Sequence, residues 1–181
     1  MIEGEGYYLS VKICGEEAYV DGSTATDRNH IDFMRAMYRY LSNYETSAVT
    51  VQGYDSGTFV VTFVFGSVFN NEEQVTILYP IVNESNFSIE KWYVKSYETT
   101  VYALALELIK DVESDLKKWI YFGFESKDYN GNFDNFLKKY HKPEEIIKIK
   151  ERIKENAKLT KYWLKKLKQI VKKVKPQYED K

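Results

Sequence analysis

This chain has few of the residues that build covalently linked or metal-linked scaffolds. Its 181 residues include one cysteine, Cys14, and two histidines, His30 and His141. A single cysteine excludes an internal disulfide framework and is typical of a reducing compartment, so we expect a cytoplasmic protein. A structural zinc site needs four nitrogen or sulfur ligands, and the sequence has too few. We therefore expect neither a metal nor another cofactor.

Long apolar runs and the signature motifs of common enzymes are also missing. The longest apolar run, FVVTFVF at residues 59–65, is far too short to cross a bilayer. The first residues lack the charged-then-apolar pattern of a secretion signal, so we expect no leader peptide. No phosphate-binding glycine loop, nucleophile elbow or dinucleotide fingerprint occurs. The segment DYNGNFD at residues 128–134 resembles a calcium loop, but Lys139 stands where the bidentate glutamate belongs.

Arginine is scarce, and lysine is distributed unevenly along the chain. Residues 138–181 contain sixteen Lys/Arg and six Asp/Glu, whereas residues 1–137 contain ten and twenty-one, for a formal net charge of -1 overall. We therefore divide the chain into an acidic α+β body, residues 1–136, and a basic helical C-terminal arm, residues 137–181. Such asymmetry is a hint of polyanion binding, although body and arm could also neutralise each other.

Alternating apolar residues and turn signals predict an antiparallel β-sheet of about five or six strands. The β-rich segments are residues 7–14, 16–22, 47–54, 57–69, 73–82 and 90–97. No lysine or arginine occurs from residue 41 to residue 90. Sheets that bind single-stranded nucleic acid need cations beside their aromatic side chains. We therefore expect the aromatic residues of this region to be core or interface residues: Tyr54, Phe59, Phe63, Phe65 and Tyr79.

Helical periodicity predicts packed helices around this sheet, and hence an α+β fold. Residues 27–45 are predicted as a helix with Asp27 as its N-cap and Phe33 and Met37 on its apolar face. From Thr99 onwards an unbroken apolar stripe predicts one helix that reaches Ile120. A short helix follows, and Pro143 is then placed in the first turn of a long basic C-terminal helix.

The last helix carries two patterns in steps of three and four residues. One is an apolar seam with Asn156 and Thr160 at its polar middle, and its apolar members are Ile146, Ile149, Ile153, Trp163, Leu167, Ile170 and Val174. The other, the lysine stripe, is formed by Lys154, Lys158, Lys161, Lys165, Lys168, Lys172 and Lys175. The seam resembles a heptad repeat, in which polar core positions fix the register between helices. The lysine stripe is expected either in solvent or against a negative surface.

A row of carboxylates on the preceding helix is a candidate counter-surface for the lysine stripe. Glu107, Asp111 and Asp115 are four residues apart and share one helix face. They form what we call the acidic row, and it is equally compatible with a solvated helix face. A hard cation would need further oxygen ligands from elsewhere, so no metal is predicted there.

The segment DRNHIDFMR at residues 27–35 has the densest group of catalytic residue types. Its side chains point in different directions on one helix, and no second cluster completes a site. We interpret it as helix capping with a surface pair between Asp32 and Arg35, and predict no catalytic residues and no small-molecule substrate.

These patterns favour a non-enzymatic protein that acts by protein contact or self-assembly through the seam and the lysine stripe. The predicted partner is a second copy or the acidic surface of another protein. The alternative hypothesis is an accessory protein that binds nucleic acid without sequence specificity, because lysines suit phosphates as point charges. A small hydrolase or nuclease is the third hypothesis. Basic amphipathic helices also contact anionic lipid, but we do not expect a membrane surface to be the partner.

Overall fold

The computed structural model has an α+β fold with two antiparallel sheets and five helices among the residues that it describes. These are residues 2–5, 8–13, 16–20, 28–43, 45–53, 59–66, 73–82, 89–121 and 133–179. The first sheet contains β1 (Ile2–Glu5), β2 (Tyr8–Ile13) and β3 (Glu16–Val20), and the second contains β4 (Ser47–Gly53), β5 (Phe59–Phe65), β6 (Val75–Val82) and β7 (Ile89–Tyr97). The helices are α1 (Asn29–Asn43), α2 (Val101–Ser114), α3 (Leu116–Tyr121), α4 (Phe133–Tyr140) and α5 (Pro143–Glu179). Within the described ranges, no helix is both long enough and apolar enough to span a membrane.

The main sheet has four strands, so the prediction of one sheet with five or six strands is wrong. Its order is β4-β5-β6-β7, with each strand antiparallel to the next. The two strands predicted first in the chain lie in the separate three-stranded sheet, together with β1. The sequence IEGE of β1 has one apolar residue and a glycine, which is too weak a pattern to predict a strand.

One face of the four-stranded sheet forms the core with α1. The register places Val49 opposite Phe63 and Phe63 opposite Ile77, and all three side chains are buried. Phe33 of α1 contacts this row edge-on, with its ring centroid 5.0 Å from that of Phe63 and 6.2 Å from that of Phe65. The prediction that Phe63 and Phe65 are core residues is confirmed. Large aromatic side chains such as these contribute most of the apolar area that folding buries.

The helix predicted from Thr99 to Ile120 is two helices with a break at Asp115. Thr100 caps the start of α2, because its hydroxyl accepts a hydrogen bond from the Ala103 amide at 3.0 Å. At Asp115 the backbone leaves the helical region (φ -145°, ψ 73°), and the Asp115 carboxylate accepts the Lys118 amide at 2.9 Å as the cap of α3. The apolar stripe runs through the break without a glycine or proline, so periodicity alone predicts one helix. The predicted cap of α1, Asp27, lies outside the described residues.

The C-terminal helix α5 packs along the other helices of the domain. Its second half joins α1, α2 and the sheet in the main core, and its first half forms a smaller cluster with α4 around Phe133, Leu137 and Ile153. The Lys150 ammonium lies 2.6 Å from the Asp134 carboxylate, and this ion pair lowers the pKa of Asp134. The predicted division between residues 136 and 137 separates an acidic part of the chain from a basic part. As a division into domains it stays a prediction, although both sides contribute residues to the main core.

Candidate functional site

Helix α5 is the element that positions the candidate functional residues. Pro143 occupies its first position, and the Glu145 carboxylate accepts the Lys142 amide at 3.1 Å, which satisfies one donor at the helix start. At 1.5 Å per residue, its 37 residues span about 55 Å. The lysine stripe, from Lys154 to Lys175, occupies about 32 Å of this length. The seam and the lysine stripe lie on opposite sides of the helix.

The seam contacts this chain's own body. Leu167, Ile170 and Val174 are buried in the main core, and Ile153 is buried in the smaller cluster. Trp163 is partly buried and contacts Tyr38 of α1 edge-on, with ring centroids 5.8 Å apart, and Ile146 and Ile149 pack against the smaller cluster. Because the seam already packs within one chain, self-association through it would require this core to open. The lysine stripe, in contrast, lies on the exposed side of α5, together with exposed side chains such as Ile147 and Tyr162.

The polar middle of the seam meets the start of α1. Asn156 and Thr160 are fully buried, as is His30. His30 Nε2 and Thr160 Oγ1 share a hydrogen bond of 2.8 Å, and the His30 ring lies 5.3 Å from that of Trp119 on α3. Burial lowers the pKa of His30 to about 3, so the imidazole is neutral at physiological pH. Three helices therefore meet at a buried polar layer that contains the hydrogen bond between His30 and Thr160.

A hydroxyl next to an imidazole is also the geometry that activates a nucleophile in some enzymes. Here neither His30 nor Thr160 has any exposed surface, so a substrate cannot reach them without local unfolding. A His30 pKa of about 3 also makes the imidazole a weak base at neutral pH. The hydrogen bond joins α1 to α5 inside the core. Helix capping and an Asp32–Arg35 surface pair, as predicted for segment 27–35, do not account for this buried position of His30.

Among the described charged residues of that segment, Arg28 is partly exposed, and Asp32 and Arg35 are exposed. Arg28, which directly precedes α1, donates a hydrogen bond from its guanidinium to the Glu155 carboxylate of α5 at 2.7 Å. Partial burial raises the pKa of the Asp32 carboxyl, and the positive charges of Arg35 and Arg28 oppose this shift. The contact between Arg28 and Glu155 joins the start of α1 to α5.

The second histidine of the chain, His141, lies outside that segment. Its Nδ1 atom is 3.5 Å from the Glu145 carboxylate, one helical turn away, so this contact lies at the start of α5.

All seven side chains of the lysine stripe are exposed. Two have carboxylate partners: Lys168 pairs with Glu113 of α2, and Lys175 lies 3.3 Å from Glu179. Within the part of the chain that the structure describes, the other five have no ion pair: Lys154, Lys158, Lys161, Lys165 and Lys172. From Lys158 to Lys175 the helix has eight lysines and no carboxylate, so its outer face is a continuous positive surface.

Among the described residues outside α5, Glu113 of α2 forms an ion pair with the lysine stripe, and it is not a member of the acidic row. Of the acidic row, Glu107 is exposed, Asp111 is half-buried, and Asp115 caps α3. Glu113 lies next to the buried Val112 and faces α5 from the rim of the apolar stripe. This position beside the stripe is the signal that could have identified it, whereas four-residue spacing among carboxylates selects a different face of α2.

An open groove of about 440 Å³ lies between α2 and α5 at this contact. Its lining consists of Glu113, Lys161, Leu164, Lys165, Lys168, Gln169 and Lys172. Four residues of the lysine stripe thus share one concave surface, and the half-buried Leu164 gives it an apolar component.

Comparisons with known proteins add no functional assignment. No protein-family model matches the chain, and neither a curated protein nor a solved structure matches it. Among the described residues, no group of three or more His, Cys, Asp or Glu side chains could hold a metal ion. Cys14 and most of the calcium-loop-like segment lie outside the described residues.

Proposed function

We propose that this protein binds the phosphate backbone of nucleic acid through the lysine stripe, without sequence specificity and without catalysis. The observation that carries this proposal is a positive surface about 32 Å long on which five lysines have no ion pair among the described residues. One strand of nucleic acid has a charge about every 3.4 Å of axis, so about nine nucleotides match this length. Lysines contact phosphates as point charges and do not distinguish base sequences.

The lysine stripe has an electrostatic cost that a polyanion would relieve. Its seven lysines form six neighbouring pairs at three- or four-residue spacing. Each like-charged pair costs about 0.2–0.5 kcal/mol, so the unneutralised stripe costs about 1–3 kcal/mol of helix stability. The ion pairs of Lys168 and Lys175 offset part of this cost, since each exposed pair contributes about 1 kcal/mol at most, and the other five lysines have no ion pair among the described residues. Binding of a polyanion replaces the repulsion with attraction along the whole row.

An acidic protein surface is the competing partner class, and the packing of the seam makes it less suitable. Protein interfaces usually have an apolar centre and contain less lysine than the rest of the surface. The apolar residues of the seam, such as Leu167 and Ile170, are buried in this chain's own core. The outward side of α5 therefore offers mainly charge, with Ile147 and Tyr162 as exposed apolar side chains beside the lysine stripe. The lysine stripe itself suits phosphates better than a protein surface.

Binding of labelled oligonucleotides by the full-length chain tests this proposal. Five phosphate contacts on a single strand give a slope of about -3.5 in log affinity against log salt, so affinity should fall on the order of 100-fold between ~50 and ~200 mM salt. The affinities of several mixed sequences should agree closely. Lys161→Glu, Lys165→Glu and Lys172→Glu together should abolish measurable binding, because glutamate keeps helix propensity while it reverses the charge.

A matched control separates the lysine stripe from net charge. Lys91→Glu, Lys138→Glu and Lys148→Glu change the charge by the same amount at exposed positions outside the stripe, and should retain most of the affinity. Equal losses in both triple variants would mean that only overall charge matters, and would contradict the proposal. No oligonucleotide binding, together with shallow salt-dependent binding to an acidic protein, would favour the protein-partner hypothesis instead.

A further inference from the structure

The groove between α2 and α5 combines positive charge with a negative residue that already occupies part of it. Lys161, Lys165, Lys168 and Lys172 line it over eleven residues of helix rise, or about 16 Å. Glu113 on α2 pairs with Lys168 from the opposite wall. The two side chains are each about half exposed, at 45% for Glu113 and 49% for Lys168, so a soluble ligand can reach both.

The groove has the properties of a binding site for single-stranded nucleic acid. Leu164 and the methylene stems of the lysines form an apolar lining beneath the charged ammonium groups. A single strand can place its sugars and bases on such a lining while its phosphates contact the lysines. In a duplex the bases are paired and stacked inside, so only the backbone can reach the rim. The length of 16 Å corresponds to about five nucleotides of one strand.

We infer that this groove binds a short single-stranded segment of nucleic acid, and that Glu113 competes with its phosphates for Lys168. The inference rests on the proposed function, since it concerns the same lysine stripe. The Glu113 carboxylate occupies the position of a phosphate in the free protein, and a strand that fills the groove must displace it. Lys168 therefore contributes less to binding than neighbours such as Lys165, which has no ion pair within the described ranges. An exposed pair is weak, which limits the effect of Glu113 on affinity to about fivefold.

Glu113→Gln tests this competition in the full-length chain, with a labelled twelve-residue oligothymidine and a twelve-base-pair duplex as probes. Removal of the competing carboxylate should strengthen binding of the single strand by about two- to fivefold. One additional phosphate contact should also make the salt slope steeper by about 0.7. Glu107→Gln is the matched control, because Glu107 is exposed on the same helix and carries the same charge, but points about 120° away from Glu113 around the axis of α2. It should change neither affinity nor slope appreciably.

A double-mutant cycle provides a second, independent readout. Lys168→Gln should weaken single-strand binding less than Lys165→Gln in the wild-type background, since Glu113 already neutralises Lys168. In the Glu113→Gln background the two lysine substitutions should cost about the same. A non-zero coupling between positions 113 and 168 in binding is the expected result.

The possible outcomes separate this inference from the proposed function. If the charge-reversed lysine stripe loses binding but Glu113→Gln behaves like Glu107→Gln, the proposed function holds and the competition is refuted. If Glu113→Gln strengthens duplex and single-strand binding equally, Glu113 competes at the rim and the single-strand assignment is wrong. If neither probe binds the wild-type protein at ~50 mM salt, both the inference and the proposed function are wrong.

Discussion

His30 and Thr160 form a buried hydrogen bond that links the start of α1 to the middle of α5. The 2.8 Å contact joins residues 130 positions apart, and neither side chain is exposed to solvent. A polar pair within an apolar interface is satisfied in only one alignment of the two helices, because any slip leaves both groups without their partner. The pair therefore favours one register of α5 on the body, and this register sets where the lysine stripe lies.

The buried imidazole predicts that the protein loses stability in mild acid. Burial lowers the pKa of His30 from 6.5 to about 3, so in this range the unfolded chain binds a proton and the folded chain does not. The contribution of His30 is complete above about pH 6.5 and is lost as the pH falls from there towards 3. Between pH 7 and pH 5 the free energy of unfolding should fall by about 2 kcal/mol from this group. Urea unfolding at the two pH values measures it.

Nuclear magnetic resonance of the folded protein provides the control for this prediction. The ring signals of His30 should not titrate between pH 8 and pH 5, while the unfolded chain in urea should titrate normally. The raised pKa of Asp32 has the opposite effect on stability from the lowered pKa of His30. The folded state binds the Asp32 proton more readily than the unfolded state, so this group favours folding as the pH falls. A His30 signal that titrates near pH 6.5 in the folded protein would disprove the prediction.

Thr160→Val should destabilise the fold without changing the shape of the interface. Valine is close to threonine in size, but it removes the Oγ1 atom that shares the hydrogen bond with His30. Loss of one partner in a buried hydrogen bond costs about 1–3 kcal/mol, since the remaining group stays desolvated. Chemical denaturation should show this loss, and Lys161→Ala, one residue away on the exposed side, should remain within about 0.5 kcal/mol of wild type. A Thr160→Val variant as stable as wild type would show that the contact contributes no net stability.

Leu167→Ala tests whether the seam belongs to the core of one chain. Leu167 is fully buried with Ile170 and Val174 in the main core, so truncation should cost about 2–5 kcal/mol of unfolding free energy. This loss should not depend on protein concentration. Sedimentation or light scattering at several concentrations provides the second measurement. A folded Leu167→Ala monomer that replaces a wild-type dimer, with unchanged unfolding of the monomer, would support the self-assembly hypothesis instead.

Periodicity predicts which side of α5 is buried, but not what it packs against. Steps of three and four residues correctly place Ile153 and Leu167 inward and the lysine stripe outward, because these positions follow from helix geometry alone. The contact with α1 depends on distant residues that no local pattern identifies. His30 does lie three residues before Phe33 on the apolar face of α1, and this spacing was a signal that it is buried. The break at Asp115 has no comparable signal, since the apolar stripe continues through it.

The role of Asp115 as a helix cap gives the last prediction. The sequence assigns its carboxylate to the acidic row, whereas in the structure its Oδ1 accepts the Lys118 amide at 2.9 Å and begins α3. Helix α3 carries the fully buried Trp119, so the cap helps to hold this side chain in the core. Asp115→Ala should therefore cost about 0.5–2 kcal/mol of unfolding free energy, while Asp115→Asn should stay near wild type, because asparagine caps as well without the charge. If the charge were what mattered, the two substitutions would have equal effects on stability, and both would weaken to the same extent as salt is added. Thermal or urea unfolding of the two variants at low and high salt distinguishes a cap from a charged counter-surface.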